Sequence, residues 1–183
     1  RVLATNKDLS INEVARTSNV SPAGAFKILA KLATVGVLKR KSVGNSKLYS
    51  FDFLNEKTMS VLKLSFMSES LAEKVKGRAD DLKRLREVTE ACIMFGSYIT
   101  QKKEPEDLDV LFVLEKPNYE PYKNALSKVQ DITPIKIQDV VQTRQDFKLN
   151  LQNKDPIVTE VVRHGILLWG FDTLIEVIKN ANQ

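Results

Sequence analysis

Apolar positions change their spacing several times along this 183-residue chain, and each change marks an element. Ser10 followed by Glu13 predicts a capping box that opens a short helix over residues 11–16. Ser21-Pro22 predicts a second helix running to about Thr34, with Ser at the cap and Pro at the first helical position. Ala25, Ile28, Leu29 and Leu32 give it an apolar face at helical spacing. Gly36 ends it, and residues 37–41 and 47–51 then read as a hairpin around Gly44-Asn45. Residues 54–90 contain no Pro and a single Gly, with Leu62, Phe66, Leu71, Val75, Leu82 and Leu85 at mixed helical spacings. They predict one long helix, or two meeting near Gly77. Beyond residue 90 the period shortens to that of strands: Ile93–Phe95, then residues 107–113. A helix over 119–130, a third strand over 132–138, and a closing helix and short strand within 155–170 follow. The fold class is α+β.

Composition narrows the setting. No apolar run approaches the roughly 18–20 residues of a membrane helix, and nothing resembles a signal peptide. The chain starts at Arg1 without a Met, so sequence ahead of it is expected. Cys92 is the only cysteine, which excludes an internal disulfide and suits a reducing, cytoplasmic compartment. It reads as buried filler within a strand. The net charge of +5 is uneven: residues 1–53 hold nine basic and three acidic side chains, a balance of +6, so the other 130 residues sum to −1. Nucleic-acid contact is expected at the basic end.

The most specific chemistry lies in the second half. Ile93-Met94-Phe95 leads into Gly96-Ser97, and after nine intervening residues comes Asp107-Leu108-Asp109 at the start of a strand. Period-2 alternation places both carboxylates on one strand face. Two carboxylates side by side repel, and a divalent cation between them relieves this. Mg²⁺ is commonly held by one or two carboxylates together with phosphate and water oxygens. Gly96 permits close backbone approach, and the Ser97 hydroxyl and nearby N–H groups suit phosphate.

This arrangement resembles the signature of the polymerase-beta-type nucleotidyltransferases, in particular the small minimal nucleotidyltransferases, over roughly residues 85–183. The resemblance implies a nucleoside triphosphate substrate, Mg²⁺ or Mn²⁺ at Asp107 and Asp109, and phosphate contacts from Gly96 and Ser97. Lys102 and Lys103 are available for the triphosphate, although the stretch after the turn lacks the glycine of close relatives. It also implies a third carboxylate on the third strand. Asp139 is the candidate, but with Ile135 and Ile137 in the core it has the wrong parity unless the strand bulges or ends early, and the active face is left with Lys136 and Gln138. His164, the only histidine, reads as a surface residue near a helix end, and Trp169 as a core or interface residue.

The first 53 residues resemble a winged helix-turn-helix of archaeal or bacterial type, with an earlier helix at or before residues 1–5. That resemblance implies duplex-DNA binding. Ala23, Gly24, Lys27 and Lys31 would lie toward the groove, with Lys39, Arg40, Lys41 and Lys47 on the wing. The chain thus reads as a winged helix-turn-helix (1–53), a helical connector (54–90) and a small α/β nucleotidyltransferase domain with a mixed sheet (91–183). Val61, Leu62, Leu64, Phe66 and Met67 suggest a homodimer through the connector. The competing function is a non-catalytic regulator that senses nucleotide, or an antitoxin that acts on a paired toxin protein.

Overall fold

The computed structural model describes residues 1–67, 73–100 and 105–182. Lys102 and Lys103, expected at the triphosphate, and Leu71 lie outside them. Among the described residues the chain forms eight α-helices and two sheets, an α+β architecture. A 3₁₀ turn, Val2–Ala4, precedes strand β1 (Leu9–Ser10) and helix α1 (Ile11–Thr17). Ser10 and Glu13 make the expected capping box: the Ser10 hydroxyl accepts from the Glu13 N–H at 3.3 Å, and the Glu13 carboxylate accepts from the Ser10 N–H at 2.8 Å. Helix α2 (Pro22–Thr34) is capped by Ser21, which accepts from the Gly24 N–H at 3.1 Å. It closes at Gly36, where φ is +81° and a Cβ would overlap the Asn55 side chain.

Strands β2 (Leu38–Val43) and β3 (Ser46–Phe51) form the hairpin, and β1 adds to the free edge of β3. Leu3, Leu9, Leu29, Val37, Leu38 and Tyr49 form the core beneath. Ile28, expected on the apolar face of α2, is instead 57% exposed. The buried line runs through Ala25 and Leu29, and Ile28 lies on its flank beside a shallow cleft with Val14, Leu32 and Val61.

The segment expected as a connector is two helices, α3 (Glu56–Phe66) and α4 (Glu73–Leu82), the latter running into a 3₁₀ turn at Lys83–Glu87. Gly77 lies inside α4, and α3 ends at Phe66, with Met67 in extended conformation. Packing explains this. Leu62 and Phe66 bury in the same apolar cluster as Ile93 and Phe95, whereas Val75, Leu82 and Leu85 bury in the cluster that holds Cys92 and Met94. Residues 93 and 95 point to one side of their strand and 92 and 94 to the other. A chain that covers both faces of one sheet cannot do so as a single helix. The dimer face expected on this segment is correspondingly reduced: Leu62 and Phe66 are internal, while Leu64 and Met67 remain exposed.

The second sheet has the order β6-β5-β4-β7. Its strands are β4 (Ala91–Phe95), β5 (Asp107–Val113), β6 (Lys136–Gln142) and β7 (Ile166–Trp169), with β5 and β6 parallel and the other pairs antiparallel. Helix α5 (Tyr119–Ile132) makes the crossover from β5 to β6. The third strand starts four residues later than expected. Ile132 still belongs to α5, and Pro134 follows before the chain extends. Helices α6 (Arg144–Gln152), α7 (Pro156–His164) and α8 (Phe171–Asn182) join α3 on the face of Ile93, Leu111 and Val113. Trp169 and Cys92 are core residues on the opposite face, and His164 is exposed at the end of α7.

The start of the chain docks onto this layer. The Arg1 guanidinium donates to the carbonyls of Ser65 (2.8 Å) and Gly165 (2.6 Å). Arg163 donates to the Thr5 hydroxyl at 2.9 Å. No helix among the described residues is long and apolar enough to cross a membrane.

Candidate functional site

Strand β4 ends at Phe95, which pairs with Asp109 across the antiparallel register. Gly96 follows with φ +71°, and a Cβ there would overlap the Asp109 carboxylate. Only glycine combines that left-handed turn with so close an approach. The Ser97 backbone N–H favours the ionised form of Asp109, and the Ser97 side chain is exposed. Gly-Ser turn and aspartate therefore form one unit, brought together by strand pairing.

Asp107 and Asp109 share a face of β5, both half-buried, while Leu108 and Val110 are buried on the other face. The parallel register sets Lys136 beside Asp107 and Gln138 beside Asp109. The Gln138 amide donates to the Asp107 carboxylate. Asp109 ionises less readily than an ordinary aspartate. Burial contributes most to this, followed by the charges of Asp107 and Glu160, against the opposing pull of the Ser97 N–H.

Asp139 is not brought to this face. It pairs with Val110 in the register and accepts a 2.8 Å hydrogen bond from the Tyr122 hydroxyl under α5. No bulge interrupts the register from Asp107 to Val113, so strand parity holds and β6 brings no carboxylate to the face of Asp107 and Asp109. The phenol of Tyr122 is correspondingly harder to ionise, through its burial and the Asp139 carboxylate beside it.

Glu160, on α7, is the carboxylate that sequence reasoning missed. Val158, Val161 and Val162 fix the buried side of α7 and leave Glu160 exposed at its flank, near enough for its charge to act on Asp109. Nothing local marks it, because its role depends on where α7 lies over the sheet. Among the described residues no group of three or more His, Cys, Asp or Glu side chains is set to hold a metal ion. The aspartates stand as a pair.

Of the residues expected at the DNA, Ala23, Lys27, Lys31, Lys39, Arg40, Lys41 and Lys47 are exposed, and Gly24 is half-buried at the start of α2. The hairpin divides its charge between two faces. Arg40 pairs with Tyr49 and Lys47 with Ser42, which puts Arg40 and Lys47 on one side and Lys39 and Lys41 on the other. Lys39 is also held by Asp52 at 3.1 Å.

Together these features define an α+β protein with an acidic ledge on a four-stranded mixed sheet and a small basic module packed beside it. Residues 56–161, more than half of the chain, match a family of unknown function, DUF6932, and the chain belongs to that family. The match begins at the first residue of α3 and so takes in both helices of the expected connector. No curated protein and no solved structure matches the chain.

Proposed function

We propose that this protein binds a divalent cation and nucleoside triphosphate at Asp107 and Asp109, transfers the nucleoside monophosphate to an acceptor hydroxyl with release of pyrophosphate, and binds duplex DNA through residues 1–53. The observation that carries the reading is the Gly96–Ser97–Asp109 unit, in which the backbone turn and the paired carboxylates are built against each other. The donor set fits a hard cation. Two carboxylates share one face, where burial first and the neighbouring Asp107 charge second hinder ionisation of Asp109, and phosphate and water oxygens can complete the coordination of Mg²⁺ or Mn²⁺. A bound cation would neutralise the phosphates and polarise the phosphorus under attack. Ser97, through its exposed hydroxyl, binds phosphate. Lys136, exposed beside Asp107, adds positive charge. Glu160 is the candidate to accept the proton of the attacking hydroxyl.

The N-terminal part resembles a winged helix-turn-helix in its two helices, its hairpin and its +6 balance. Its affinity would be chiefly electrostatic, because Lys27 and Lys31 are the strong polar groups on the exposed side of α2.

A specific observation favours a second reading. Gln138, an amide, stands on the face of β6 shared with Asp107 and Asp109 while Asp139 is on the other face. An amide accepts no proton, which suits a regulator or antitoxin that binds nucleotide and transfers nothing. Each labelled triphosphate, incubated with Mg²⁺ or Mn²⁺ and DNA, RNA and protein acceptors, separates the two readings. Label transfer that disappears in Asp107→Asn supports the enzyme. Metal-dependent binding without transfer supports the regulator, and absence of metal-dependent binding rejects both.

A further inference from the structure

Each aspartate of the ledge already has one protein donor, and the two donors differ in kind. The Ser97 backbone N–H, part of the turn itself, favours the ionised form of Asp109. Asp107 is held by the amide of Gln138, an exposed side chain on a neighbouring strand. Asp139 cannot take the place of Gln138, since its parity turns it to the other face and onto Tyr122.

We propose that Gln138 is a positioning residue that keeps the cation affinity of this ledge low: its amide holds Asp107, and it stands where a carboxylate would enlarge the donor set. The inference rests on the cation–triphosphate reading of Asp107 and Asp109. The amide N–H competes with a cation for the Asp107 oxygens and contributes no negative charge. The ledge alone is then a weak cation site, and phosphate oxygens are needed to complete it. Nucleotide, and not the level of free cation, controls loading.

Mn²⁺ titration of the intact chain, followed by electron paramagnetic resonance with and without ATP, tests this directly. Wild type binds Mn²⁺ weakly alone and more tightly with ATP. Gln138→Glu, equal in size and exposed, tightens binding of Mn²⁺ alone by about tenfold or more, as one added ligand charge allows. Adding Asp107→Asn to that variant removes the gain, a coupling that a purely structural role of Gln138 would not produce. Far-UV circular dichroism shows whether the variants are folded. Wild-type binding with ATP but no tightening in folded Gln138→Glu overturns the proposal and leaves the reading of the site standing. Absence of Mn²⁺ binding by either protein, with or without ATP, overturns both.

Discussion

Two glycines in left-handed conformation contrast the two ends of this molecule. At Gly44, φ is +55° and nothing lies within 4 Å of where a Cβ would be, so the glycine only turns a hairpin in open space. At Gly96, φ is +71° and the missing Cβ makes room for the Asp109 carboxylate. The same contrast holds for the charges nearby. The basic hairpin displays its side chains on a surface, where each acts largely alone and is screened by salt. The acidic ledge is fixed by strand register, a backbone turn and a neighbouring amide, so its groups act as a set. Substitutions should therefore be graded and additive at the first end, concentrated and non-additive at the second.

The largest expected effect is that of Gly96→Ala. Strained backbone and overlap with Asp109 act together, and left-handed strain alone costs roughly 1–3 kcal/mol. Urea denaturation should show a loss of at least that order, and calorimetry should show no binding of Mg²⁺–triphosphate. Gly44→Ala should lose about 1 kcal/mol, because only the backbone term remains, and should bind triphosphate like wild type. Equal losses in the two variants would erase the contrast.

Next come the aspartates. Asp107→Asn and Asp109→Asn should each remove most of the affinity for Mg²⁺–triphosphate in titration calorimetry, and the double variant should lose little more. Asp139→Asn should leave that affinity unchanged, given its place on the other face. Asp109 also predicts a pH effect of definite sign. Its pKa is higher folded than unfolded, so the folded state binds the proton more readily and its carboxylate destabilises the fold once ionised. Asp109→Asn should therefore be more stable than wild type at pH 7 while losing nucleotide. The gain should vanish as the pH falls through the aspartate range towards the unfolded value of about 3.9. A gain that persists at lower pH would assign the effect to packing.

What the sequence disclosed follows the range of the interactions involved. Both N-terminal caps, the Gly-Ser turn and the shared face of Asp107 and Asp109 depend on residues within a few positions, and all are readable from spacing. The parity objection to Asp139 was likewise legible, since alternation is local; only its partner, Tyr122, was not. The break between α3 and α4 was misplaced because Gly77 is merely the weakest helix former there. The physical reason is that α3 and α4 cover opposite faces of one sheet. Glu160 was invisible for the same kind of reason, since its distance to Asp109 is set by how α7 lies on β4.

The smallest effects belong to the basic hairpin, and there the structure refines what composition implies. Removing one cation that neutralises a phosphate should reduce the slope of log affinity against log salt by about 0.9. Lys39-Arg40-Lys41 is continuous in sequence but divided in space, with Lys39 and Lys41 on one side and Arg40 with Lys47 on the other. A duplex lying on one side of the hairpin cannot meet all three. Changing them together to Ala should therefore reduce the slope by less than three times the single-phosphate step. Lys39 carries a further discount. Its ammonium group is 3.1 Å from Asp52, and a phosphate would have to compete with that carboxylate. Lys41→Ala should consequently lower the slope more than Lys39→Ala does, and Asp52→Asn should strengthen duplex binding slightly by releasing Lys39. Fluorescence anisotropy over a salt series reads all four variants. Identical slopes for Lys39→Ala and Lys41→Ala would show that the ion pair does not restrain Lys39. A threefold step in the triple variant would mean that DNA reaches both faces of the hairpin.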